Sequence, residues 1–160
     1  MANNYSSELV ESIKGLLGGR NWEYTFDVNH GIFQIRSGLD SSVQSCTVYI
    51  HLRSDGISSI GKISIDVMEA RQSAIAEFIT RINYKLKDGS FQMDYSDGEV
   101  RFKMYMNCGE TIPSADSLER LFVIPFIMWE KYGNAFLSVL FANVEPRIAL
   151  SQESKISSEE

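Results

Sequence analysis

The side chains that most often carry chemistry are sparse in this chain and poorly placed for one another. Its two histidines are His30, in a predicted turn, and His51, on the predicted outer face of a strand. Neither sits on a helix that would bring a Cys, Asp or Glu to it at i+3 or i+4, the spacing of helical metal sites. Cys46 and Cys108 lie far apart, lack a CxxC neighbour and read as reduced thiols. Pairing Cys46 with His51 as nucleophile and base fails on strand geometry, because residues five apart point to opposite faces of a sheet. Carboxylates approach one another in sequence at Glu23 and Asp27, Asp94 and Asp97, and Asp97 and Glu99. All fall on strand exteriors or in turns, where solvent gives them little reason to act as acid or base. The run Asp94-Tyr95-Ser96-Asp97-Gly98-Glu99 lacks the twelve-residue spacing and closing bidentate Glu of a calcium loop, and reads as a hairpin turn. Gly15, Gly18 and Gly19 follow a helix instead of opening one, so they cradle no phosphate. The sequence therefore predicts no catalytic, cofactor-binding or metal-ligating residue, no cofactor, and a protein that is not an enzyme.

Composition narrows the partners. The 160 residues suit one domain, long enough to bury about two thirds of its unfolded surface without metal or disulfide. With 21 acidic against 15 basic residues, a net charge of −6 and no run of Lys or Arg, nucleic acid is disfavoured. The most apolar stretch, Leu121 to Met128, is shorter than the roughly 20 residues a bilayer requires, so no membrane partner is expected. The start, Met-Ala-Asn-Asn-Tyr-Ser-Ser-Glu, has neither the basic nor the apolar region of a secretory signal, which predicts a cytoplasmic location.

The elements that would position any site follow from periodicity. A helix is predicted over Ser7 to Leu17, capped by Ser6 or Ser7 and ended by Gly18-Gly19. Strands follow: Trp22, Tyr24 and Phe26 alternate with polar residues, Ile32 to Arg36 returns after Asn29-His30-Gly31, and Cys46, Val48, Ile50 and Leu52 mark a third. Ile57 to Ile65 is less regular, and Gly61 within it predicts a bulge or bend. Asp66 with Glu69 suggests a capping box for a helix whose face is Ile75, Phe78, Ile79, Ile82 and Leu86. A hairpin of Phe91 to Tyr95 and Glu99 to Met106 turns at Ser96-Asp97-Gly98. A long helix from about Ala115 to Ala142 contains Pro125, so a kink or break is predicted near Leu121 to Ile124, with Gly133-Asn134 a second weak point. The predicted fold is α+β, an antiparallel sheet of five to six strands packed by helices in the order α-β-β-β-(β)-α-β-β-α. Residues 1–144 form the single domain and 145–160 a polar tail, predicted to be disordered at least past Ser151.

One stretch asks for a partner. Leu121 to Trp129 wound as a helix is apolar all round, and one sheet face cannot bury it all. Phe122, Ile124, Phe126, Met128 and Trp129 are the candidate dimer or partner contacts, in keeping with the aromatic and Met enrichment of interface cores. The alternative is a helix held between the sheet and the first helix. A second functional class, a small-molecule sensor or enzyme, would use a pocket between sheet and helices lined by Trp22, Tyr24, Phe102 and Trp129.

Glu77-Phe78-Ile79-Thr80-Arg81-Ile82-Asn83-Tyr84-Lys85-Leu86, then Gly89-Ser90-Phe91-Gln92-Met93-Asp94 and Asp97-Gly98-Glu99-Val100-Arg101-Phe102, resembles the YbjN-like family of small bacterial proteins. The likeness is a helix ending in an Arg-x-Asn-Tyr run, a Gly-Ser-Phe strand and an Asp-Gly-Glu hairpin, strong over about 30 residues. The resemblance implies a fold like that of type III secretion chaperones, which are cytoplasmic, commonly homodimeric, and bind polypeptide without catalysis. The family is labelled a sensory-transduction regulator and offers no catalytic residue to carry over. The function expected is a non-enzymatic, chaperone-like or regulatory module, homodimeric, that binds a protein or peptide.

Overall fold

Alternation of apolar and polar residues builds one six-stranded antiparallel sheet. The computed structural model describes residues 4–156. The strands are β1 (Thr25–Asp27), β2 (Ile32–Gly38), β3 (Ser45–Leu52), β4 (Gly56–Lys62), β5 (Ser90–Met93) and β6 (Val100–Asn107), in spatial order β1-β2-β3-β4-β6-β5. The helices are α1 (Ser7–Gly19), α2 (Glu69–Asn83), α3 (Ala115–Phe141) and α4 (Pro146–Ile156). Because side chains alternate, Phe33, Val48, Ile50, Ile57 and Phe102 share one sheet face and are fully buried there. The helices pack from that side: α3 crosses β3, β4 and β6, α2 lies by β5, and α1 and α4 pack on α3. The other face carries Gln34, Arg36, Thr47, Tyr49, His51, Arg101 and Lys103, all half-buried or exposed, around buried Ser58 and Ile60, and no helix among the described residues lies over it.

The helix-sheet contact is keyed at β4, and it explains both irregularities of the sequence. Pro125 has no N–H to offer the Leu121 carbonyl one turn back. Ser59, buried in β4, donates its hydroxyl to that carbonyl at 2.5 Å. Gly61, on the same face, accommodates the proline: a Cβ there would stand 2.6 Å from Pro125 Cβ. Trp129 Nε1, one helical turn further, donates to the Gly61 carbonyl at 3.1 Å. So α3 runs unbroken from Ala115 to Phe141, which corrects the break in the kink-or-break expectation, and Gly61 marks no bulge, since β4 keeps register with both neighbours through it. The glycine is a close-approach residue. Gly133-Asn134 is likewise a docking point: Asn134 Oδ1 accepts from Ser42 N–H at 2.8 Å, and a Cβ on Gly133 would meet Ser41 and Val43 at 2.9 Å.

Two other expectations are corrected. Asp66 does not cap α2, whose N-cap is Met68 without a side-chain bond; Val67 N–H instead bonds the Gly98 carbonyl of the β5–β6 turn at 2.8 Å. The close fit at Gly98, at φ +80°, leaves no space for a Cβ beside the Val67 backbone. The tail predicted to be disordered is helical over Pro146–Ile156. Pro146 suits the first helical position, and Pro146 and Ala149 are buried while α4 packs on α2 and α3. Its apolar surface is small, but two helices provide a ready-made groove, so burial comes from the receiving surface. Residues 157–160 of the predicted tail lie outside the described residues.

Candidate functional site

Sheet edges are where a polypeptide can add to a fold, and the two edges here differ. At β5 the outward backbone groups of Phe91 are already taken. The Asn83 side chain, from the last turn of α2, accepts from Phe91 N–H at 2.8 Å and donates to its carbonyl at 2.9 Å. One amide thus imitates a neighbouring strand and covers that edge at Phe91. At the opposite edge β1 has only three residues and pairs with Ile32, Phe33 and Gln34, half of β2. From Ile35 to Gly38, no strand among the described residues lies on the outer side of β2. Leu39 N–H bonds Gln44 on the β3 side, so alternation points the backbone groups of Arg36 and Gly38 outward.

Beside this bare segment runs the apolar flank of α3. Trp22, Ile35, Ser37, Val123 and Phe126 line a groove of about 400 Å³, and Ser37, Leu39, Phe126, Ile127 and Lys131 line the next, of about 370 Å³. Phe126 and Ser37 border both, so the two make one trough along the β2 edge. Ile127 is 49% exposed at its rim. The loop that ends the trough is fixed to α3, with Asp40 N–H on Glu130 Oε2 at 2.9 Å and Ser41 Oγ on the Trp129 carbonyl at 3.4 Å.

The structure divides the predicted contact residues. Phe122 and Trp129, 0% and 1% exposed, fill this chain's own core and present no surface. Ile124, Phe126 and Met128 are half-buried, and of these Phe126 lines the trough. Sequence reading overlooked Val123, Ile127 and Leu39 as contacts, and it assigned Trp22 to a different pocket. Their signal lay in the gap between a three-residue first strand and a seven-residue second one, and in which side of an all-apolar helix faced away from β4. The four residues of the predicted pocket do not converge either: Phe102 and Trp129 are core, Tyr24 lies 5.6 Å from the Phe33 ring, and Trp22 alone lines the trough.

The two thiols are held away from ionisation. Burial pushes the Cys46 thiol up to about 12 and raises Cys108 as well, with Asp55 contributing there. Cys46 and His51 face opposite sides of β3, as strand geometry requires. An exposed contact that sequence reading passed over joins His30 Nδ1 to Asp27 Oδ2 at 2.7 Å, and this hydrogen bond lowers the Asp27 pKa. His51 is lowered first by burial and then by Arg53, Lys62, Arg101 and Lys103. Among the described residues no group of His, Cys, Asp and Glu is arranged to hold a metal, and no buried side-chain polar atom lacks a hydrogen bond. Nor is any helix among them long and apolar enough to cross a membrane. No protein-family model matches the chain, and no curated protein does so.

Proposed function

We propose that this chain is a non-enzymatic polypeptide-binding module, chaperone-like or regulatory, that receives an extended segment along the outer edge of β2. The reading is carried by Ile35–Gly38, paired with β3 but without a described strand on its outer side, lying directly beside an apolar trough. Strand addition supplies affinity through backbone hydrogen bonds at Arg36 and Gly38, and the trough receives alternate side chains through Val123, Phe126 and Ile127. The element order supports the type III secretion chaperone-like reading of the YbjN-like resemblance, and two free thiols suit a cytoplasmic setting.

A second copy of the chain is one possible occupant. A two-fold axis at the β2 edge would pair Arg36–Gly38 of both copies in antiparallel fashion and close two troughs against each other. This is the homodimer proposed for the family likeness. A photo-crosslinker at position 127 in the native cell, with a control at exposed Glu8, would identify the occupant. Amide exchange on the isolated complex then tests the geometry: Arg36 and Gly38 N–H should slow by at least about tenfold, as newly formed strand bonds do. A complex in which those two amides exchange at the free rate would sink the reading, as would identical crosslinking at positions 127 and 8.

A further inference from the structure

The face of the sheet away from the helices gathers cations although the chain as a whole carries −6. Register places Arg36, Thr47, Lys62 and Arg101 in one row across β2, β3, β4 and β6, and Lys103 joins Ile60 and Tyr49 in the next. Arg53 continues the same side of β3. From Arg36 to Arg101 is three strand spacings, roughly 14 Å. The central carboxylate is Glu99, bonded to Lys62 at 2.8 Å. Arg101 is steadied by Gln92 at 3.1 Å, and Arg53 and Lys103 have no carboxylate within ion-pair distance among the described residues. His51 lies among them, its pKa lowered first by burial and then by Arg53, Lys62, Arg101 and Lys103.

Carboxylates border this island. Asp27 stands at β1, Asp55 in the β3–β4 turn within reach of Tyr105, and Asp94 and Asp97 in the β5–β6 turn. A long polyanion crossing the face would meet negative charge at each end. Tyr49, the central aromatic, already lies under Lys62 at 5.8 Å, which removes one stacking platform for bases. We infer that the open sheet face binds a short acidic polypeptide segment, about four or five extended residues of it lying over Arg36, Lys62, Arg101 and Lys103. This surface meets the β2 trough only at Arg36 and goes beyond the binding mode proposed for it.

The test uses the full chain and a fluorescein-labelled oligoglutamate of about eight residues, at low salt, with an oligothymidylate of about equal length as the rival polyanion. Saturable oligoglutamate binding that weakens with salt is expected, with NMR shifts at His51 and Lys103. The double variant Arg53→Glu, Lys103→Glu should bind at least about tenfold more weakly. Lys85→Glu, Lys87→Glu makes the same charge change at exposed positions of the turn between α2 and β5 and should stay within about twofold. If the double variant fails to fold, Arg53→Gln, Lys103→Gln removes the charges without adding acids and should weaken binding in the same direction. Equal losses in the sheet-face and control variants, tighter oligothymidylate binding, shifts confined to other surfaces or no saturable binding would each overturn the inference. Ile127→Asp should leave oligoglutamate binding unchanged, so the failure of either surface does not touch the other.

Discussion

At the residue scale the decisive pair is Ser59 and Pro125, because one residue supplies what the other withholds. Ser59→Ala should leave the Leu121 carbonyl buried and unpaired at a cost of about 1–3 kcal/mol, read from urea unfolding. In a Pro125→Ala background residue 125 regains an N–H for that carbonyl, so removing the Ser59 hydroxyl should cost distinctly less. Additive losses in the double-mutant cycle would refute the pairing. His51 gives a pH prediction of definite sign. The unfolded chain takes up its proton near about pH 6.5, whereas burial and neighbouring cations delay uptake in the folded chain. The stability due to neutral His51 is therefore complete above about pH 6.5 and is lost as the pH falls through the depressed folded value. Relative to His51→Asn, the native protein should lose unfolding free energy over that interval, and parallel curves would contradict the assignment. Cys46 was readable as an inert thiol from strand alternation. The Ser59–Pro125 match was not, since it joins residues far apart whose meeting depends on how α3 lies across the sheet.

At the element scale the strands and helices were legible because their periods are clean, and the misreadings cluster where one element borrows from another. Asp66 looked like a cap, but the segment before α2 bonds the β5–β6 turn through Val67 and Gly98, so tertiary contact displaced the local motif. Gly61 looked like an interruption because a missing side chain and a close neighbour read alike in sequence. The sequence likeness around Asn83 and Phe91 has a physical content visible only in three dimensions: the α2 side chain closes the β5 edge. Asn83→Ala would open that edge and leave the Phe91 groups to water or to another chain. The expected result is a loss of about 1–3 kcal/mol together with concentration-dependent self-association by light scattering. Asn83→Asp keeps an acceptor for Phe91 N–H but loses the donor to its carbonyl, so it should fall between. A variant that stays monodisperse and fully stable would show that the amide does not guard the edge.

For the whole molecule the consequential fact is asymmetry: among the described residues the four helices lie on one face of the sheet and none on the other. Composition suggested an acidic surface without a basic patch, and it missed the cations because alternation spreads them over β2, β3, β4 and β6 instead of in a run. The polar tail was misjudged for a related reason. Hydrophobicity summed along a segment ignores the surface that receives it, and the groove between α2 and α3 buries Pro146 and Ala149 and half-buries Leu150. If α4 is part of the cooperative unit, removing residues 146–160 should uncover that groove and cost roughly 2–4 kcal/mol, the scale of a few buried apolar side chains. The urea slope should fall with the surface no longer buried. The sheet is remote from α4, so the truncated chain should keep the slow amide exchange of β3 and β4. An unchanged unfolding midpoint would mean that α4 rests on the fold without stabilising it, whereas collapse of the β3 and β4 protection would mean that the helical layer and the sheet fold only together.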